Sequence, residues 1–190
     1  DPRDVARSAI GMGWAGHVYY GARTWLATER EWERITARLS DGQTLELRYE
    51  PLVQTPESVL GDICSFLGDS YDPAMLAYDA DSTYDRPDPA LTEQWRRKQG
   101  ARELGLVEPL LGDLLTARGY RQSGHPPIHP APGERLALWF GNKRAIWSHR
   151  IARYGLRDPL LVALARKVGA TRIARPAQRR MDAITRRHLK

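Results

Sequence analysis

The sequence is poor in the devices that staple or anchor a chain. It has one cysteine in 190 residues, which excludes an intrachain disulfide and a cysteine-based zinc cluster. That residue, Cys64, sits in the apolar run Ile63-Cys64-Ser65-Phe66-Leu67 and is expected to be a buried core thiol. The lack of a disulfide framework points to a reducing, cytoplasmic compartment. No window holds the roughly 18 uninterrupted apolar residues that a membrane-spanning helix needs. The first residue is Asp1, with no charged and then apolar leader behind it. This reads as a sequence that starts inside a larger protein.

What the chain does have is an uneven charge. Residues 134–190 carry 15 Lys and Arg against 3 Asp and Glu, whereas residues 1–133 carry 14 against 20. The basic character therefore belongs to the last third of the chain. Between the two regions, His125 to Gly133 contains Pro126, Pro127, Pro130 and Pro132 and reads as an extended linker. Three segments follow: residues 1–124 as one body, 125–133 as the linker and 134–190 as a basic helical tail.

Periodicity places the elements. Asp1-Pro2 suits a helix start, with Asp as cap and Pro in the first turn. A longer amphipathic helix is expected from Val18 to Leu39, with Trp25, Leu26, Trp32 and Ile35 on one face. Thr44-Leu45-Glu46-Leu47-Arg48-Tyr49 alternates apolar and polar residues and predicts a strand. Thr55-Pro56-Glu57 opens another helix that Gly68 should close. A short helix restarts at Asp72-Pro73, and residues 79–92 read as a loop. A helix from about Arg102 to Ala117 should kink or start late at Pro109. Three basic amphipathic segments lie near 135–153, 158–168 and 176–188. One strand is too few for an independent sheet, so its partners are expected upstream of Asp1.

Three pieces, in order, resemble the sulfotransferase family that uses 3′-phosphoadenosine 5′-phosphosulfate. Asp1-Pro2-Arg3-Asp4-Val5-Ala6-Arg7-Ser8 is similar to the family segment in which an arginine precedes Asn/Asp-Pro-Arg/Lys-Asp and a helix serine follows. Leu47-Arg48-Tyr49-Glu50-Pro51-Leu52, with Phe66-Leu67-Gly68, resembles the strand ending in Tyr-Glu-Asp-Leu and the helix ending in Phe-Leu-Gly. Pro51 stands where Asp is usual. Trp95-Arg96-Arg97-Lys98, Val107 to Gly112 and Gly119-Tyr120 resemble the closing segment. The likeness covers residues 1–122.

The resemblance implies an α/β fold, of which this chain is the C-terminal half of a parallel-sheet, nucleotide-kinase-like domain, mostly helical in this segment. It implies transfer of a sulfuryl group to a hydroxyl or amine of a small-molecule or glycolipid acceptor. Ser8 would bind the 3′-phosphate of the cofactor, Tyr49 would lie beside its adenine, and Arg97 and Lys98 would help clamp its phosphates. The family's arginine would immediately precede Asp1. The phosphosulfate loop and the base would also lie outside these residues, so no catalytic residue is expected here and the 190 residues alone should be inactive.

Each residue also has a plainer reading. Ser8 fits an exposed helix serine, although a helix start offers an anion both a hydroxyl and a favourable dipole. Arg3 and Arg7 share a helix face and fit structural ion pairs. Tyr49 fits a core tyrosine, Glu50 a structural acceptor, and Arg96, Arg97 and Lys98 a solvated charge run, with Arg86 a weaker phosphate contact. His17 follows the first helix and suits pocket lining or packing more than proton transfer. His125, His129, His149 and His188 lack metal-ligand spacing, and no metal is expected. In the tail, Trp139 and Trp147 beside Lys143, Arg144, Arg150 and Arg153 leave three partners open. These are the acidic body, a second copy of the chain, and an anionic membrane surface that would make the protein peripheral. Nucleic acid is disfavoured because no fold motif accompanies the charge.

Overall fold

The computed structural model describes residues 1–77 and 88–188. Arg86 lies outside them. The described residues form helices joined by turns and extended segments: α1 (Pro2–Gly11), α2 (Val18–Thr36), α3 (Tyr49–Gln54), α4 (Pro56–Leu67), α5 (Trp95–Lys98), α6 (Ala101–Leu111), α7 (Asp113–Ala117), α8 (Pro132–Tyr154), α9 (Arg157–Lys167) and α10 (Thr171–His188). Among the described residues, two 3-10 turns, Pro73–Leu76 and Pro89–Leu91, lie between α4 and α5.

There is no strand among the described residues, so the strand expected at 44–49 is corrected; the described segment is helical throughout its regular elements. Residues 44–48 adopt no regular structure, and Tyr49, expected to end a strand, instead opens α3. Arg48 keeps an extended backbone, φ −96° and ψ 142°. Alternation makes a segment able to pair, but a ladder needs a second strand to exchange hydrogen bonds with, and the described residues supply none. The loop is held by side chains instead. Arg118 Nε donates to Glu29 at 2.7 Å, and its Nη1 lies 3.7 Å from Glu46. Trp32 Nε1 in turn donates to Glu46 at 2.5 Å.

The main core joins α1, α2, α6 and α7 through Ala6, Val18, Ala22, Leu26, Val107, Leu111 and Leu115. Small residues let α1 and α2 approach closely, because a Cβ on Gly21 would fall 2.4 Å from the Ala6 carbonyl oxygen. Asp1 caps α1 by accepting from the Arg3 backbone N–H at 2.9 Å, and Pro2 occupies the first turn. Gly68 closes α4 in the left-handed conformation, φ +77°. The expected 102–117 helix is broken at Gly112, φ +56°, rather than at Pro109, which α6 accommodates. That φ is one only glycine adopts without strain.

The proline-rich segment is strapped to the body. Ile128 N–H donates to the Gly105 carbonyl at 2.7 Å, and Ser123 N–H and hydroxyl both bond Glu108. The tail then forms α8 to α10. Asn142 on α8 is buried and accepts from the Gly16 N–H at 2.7 Å. A second, smaller core joins α9 and α10 through Val162, Ala165, Ala174 and Ala177.

Candidate functional site

A cleft of about 640 Å³ opens between α1, the start of α3 and the 89–98 region. Its lining includes Arg7, Ser8, Tyr49, Gln94 and Lys98, with the carboxylates Asp1, Asp4 and Glu50. The volume falls in the ~300–1,000 Å³ range of small-ligand pockets. Three of the four residues that the sequence singled out, Ser8, Tyr49 and Lys98, thus meet in one cavity from three separate elements. Arg97 does not line it: its Nη2 donates to the Ala90 carbonyl at 3.1 Å. Lys98 Nζ bonds Gln94 Oε1. The basic run is the short helix α5, in which Arg96 pairs with Glu93 at 3.0 Å.

Ser8 lies near the end of α1, where its carbonyl accepts from Met12 N–H at 3.0 Å. The dipole support expected for an anion there is therefore absent, since the positive end of α1 is at Asp1 and is already capped by that carboxylate. An anion beside Ser8 would rely on side chains: the Ser8 hydroxyl, the exposed Arg7 guanidinium and the Lys98 ammonium.

The acidic lining is largely engaged. Asp1 holds Arg3 through Nε at 2.9 Å and Nη2 at 2.6 Å. Asp4 accepts the Trp95 N–H at 2.7 Å. Burial pushes the Asp4 carboxyl above its ordinary range, against the pull of that N–H. Glu50 accepts from the Asp1 backbone nitrogen at 2.6 Å and from the Tyr120 hydroxyl at 3.3 Å. These contacts leave Arg7 and Lys98 as the cations of the cleft that no carboxylate pairs with among the described residues, which suits an anionic guest.

Residues 1–73 match the model of the sulfotransferase family. Ser8 and Tyr49 lie inside the sulfotransferase-matched segment, as do the first two of the three resembling pieces. Lys98 and the third piece lie beyond it. Within the matched segment the regular elements of the described residues are helices. No curated protein and no solved structure matches the chain.

The structure places the remaining candidates elsewhere. Arg3 is 1% exposed. It bridges Asp1 to Glu108, with Nη1 donating to Glu108 at 2.7 Å and to the Arg121 carbonyl at 2.9 Å, and it lies 3.6 Å from the Trp95 ring centroid. It is a structural hub, as the plainer reading held. His17 caps α2: its Nδ1 accepts from Tyr19 N–H at 3.1 Å. Burial lowers the His17 pKa, with Glu103 opposing and Arg102 adding to the effect, so the neutral, accepting form is favoured. His149 packs against Gly13. No group of His, Cys, Asp and Glu among the described residues could hold a metal ion. Sequence reasoning missed the part played by Asp4, whose only signal was an acid in the first turn of a helix that it does not cap.

Proposed function

We propose that the cleft is the 3′-phosphoadenosine end of a cofactor site in a sulfotransferase that moves a sulfuryl group from 3′-phosphoadenosine 5′-phosphosulfate to a hydroxyl or amine acceptor. One observation carries this reading: Ser8, Tyr49 and Lys98, far apart in sequence, line one cavity, the first two from within the segment that matches the family. The donor set fits the group. Ser8, Arg7 and Lys98 would hold the 3′-phosphate through a hydroxyl and two cations. The half-exposed Tyr49 ring offers an apolar face to adenine.

When bound, the cofactor supplies the activated sulfuryl group. The chain's own residues then bind and orient the nucleotide, which places the transferring end in a fixed direction for in-line displacement. Because Asp1, Asp4 and Glu50 are hydrogen-bonded, they keep the cleft from repelling a dianion as strongly as three free carboxylates would.

Calorimetric titration with 3′-phosphoadenosine 5′-phosphate tests the reading. Wild-type protein should bind it, and Ser8→Ala and Lys98→Ala should each weaken binding, by about 1.5–3 kcal/mol for a hydrogen bond to a charged group. Equal affinity in wild type and both variants would overturn the assignment.

A further inference from the structure

The tail carries an exposed apolar stripe that neither the cofactor cleft nor the core uses. Leu156, Leu160, Leu164 and Val168 recur every four residues along α9 and its two caps, and are 55%, 40%, 62% and 76% exposed. The other face of α9 is occupied, with Val162 and Ala165 buried against Ala174 and Ala177 of α10. The stripe is therefore an outer surface of a helix already anchored from behind. Ile173, at the start of α10, is also exposed. Four recurrent large aliphatic side chains in water are costly, and such continuity marks an interaction surface.

The surrounding charge selects the occupant. Arg157, Arg166, Lys167, Arg172 and Arg175 are all exposed around this helix pair. None of them pairs with a carboxylate among the described residues. The three acids of residues 134–190 are engaged elsewhere: Glu134 with Arg102, Asp158 with Arg180 and Asp182 with Gln178. A second copy docked through the same face, stripe against stripe, would bring unpaired cations against their own kind. A polyanionic surface with an apolar interior satisfies both features. From Leu156 to Val168 the stripe runs 12 residue steps, about 18 Å at 1.5 Å per residue, which is too short to cross a ~30 Å hydrocarbon core. No helix among the described residues is long and apolar enough to do so. It suits a helix lying in the headgroup region, with leucines in the acyl boundary and Arg and Lys among lipid phosphates.

We propose that the α9 stripe, flanked by Arg157 and Lys167, docks the protein on an anionic lipid bilayer. This surface differs from the Trp139 and Trp147 pair expected from sequence, of which Trp147 is partly buried. The proposal stands independently of the cofactor reading. It fixes the kind of surface at which the protein works, that of a peripheral protein at a negatively charged leaflet.

The test is co-sedimentation of the 190-residue chain with vesicles of phosphatidylcholine containing phosphatidylglycerol, against phosphatidylcholine alone. Wild type should partition onto the anionic vesicles and weaken as salt rises. Leu160→Ser/Leu164→Ser should lower the partition coefficient about tenfold or more, since each leucine loses its buried apolar area. Arg157→Gln/Lys167→Gln should lower it with retention of the stripe. Far-ultraviolet circular dichroism and thermal melting check the fold, and these exposed side chains should leave both unchanged. Leu164→Asn alone serves if the double variant misfolds. Absence of binding to anionic vesicles at low salt would overturn the proposal. So would binding that survives loss of the leucines, which would assign it to charge alone. Concentration-dependent self-association abolished by the same leucine variants would assign the stripe to a second copy and overturn it as well.

Discussion

Replacing Arg3 with methionine should destabilise the protein severely. Arg3 is 1% exposed, and its guanidinium makes four hydrogen bonds, two to Asp1, one to Glu108 and one to the Arg121 carbonyl. It also stacks 3.6 Å from the Trp95 centroid. Methionine fills similar volume but leaves the Glu108 carboxylate, itself about 10% exposed, without its cation. Removing one partner of a buried ion pair costs about 3–5 kcal/mol, and the lost cation–π contact adds about 1 kcal/mol. That is a large share of the ~5–15 kcal/mol that holds a typical domain. Urea unfolding followed by circular dichroism gives the midpoint shift. A Glu108→Gln background should reduce the cost of Arg3→Met, because the stranded charge is gone while Ser123 still bonds the amide oxygen. A cost below about 1 kcal/mol, or one unchanged in the Glu108→Gln background, would refute the hub.

Other substitutions probe separate contacts. Gly21→Ala places a Cβ 2.4 Å from the Ala6 carbonyl oxygen; forcing α1 from α2 should cost about 1–3 kcal/mol by thermal or urea unfolding. Asn142→Ala orphans the Gly16 N–H, which should cost about 1–3 kcal/mol and raise the rate of limited proteolysis within residues 121–131. His17 has a folded pKa lowered by burial, so between that value and the unfolded ~6.5 the unfolded state binds more protons. Stability should therefore be full above pH ~6.5 and decline as pH falls below it, levelling off beneath the folded pKa. His17→Asn keeps a good cap and should flatten the profile in that window; a profile identical to wild type would contradict the assignment.

Local signals were legible in the sequence, and long-range ones were not. Asp1-Pro2 and Gly68 act through their own backbone neighbourhood, so helix start and stop could be read from residue type. Gly112 outranked Pro109 because an αL-side φ breaks a helix outright, while proline within α6 only removes one donor. The alternation of residues 44–49 reports which face of a segment is apolar. It does not report whether a partner strand exists, and here a helix start and the Arg118 contacts took its place. Arg3 and Asp4 look like any surface charges of a first helical turn. Their burial depends on Glu108, Arg121 and Trp95, roughly a hundred residues away, which no local pattern encodes. Ser8, Tyr49 and Lys98 were singled out by the resemblance alone, and they line one cleft. Arg97, the neighbour of Lys98 on a one-turn helix, faces Ala90 instead.

The most direct test of the central claim compares 3′-phosphoadenosine 5′-phosphate with adenosine 5′-phosphate in one calorimetric titration series. The two differ only in the phosphate that Ser8, Arg7 and Lys98 are proposed to hold. The account predicts tighter binding of the 3′-phosphorylated nucleotide in wild type, with the difference shrinking in Ser8→Ala and Lys98→Ala. Equal affinities in wild type would contradict it.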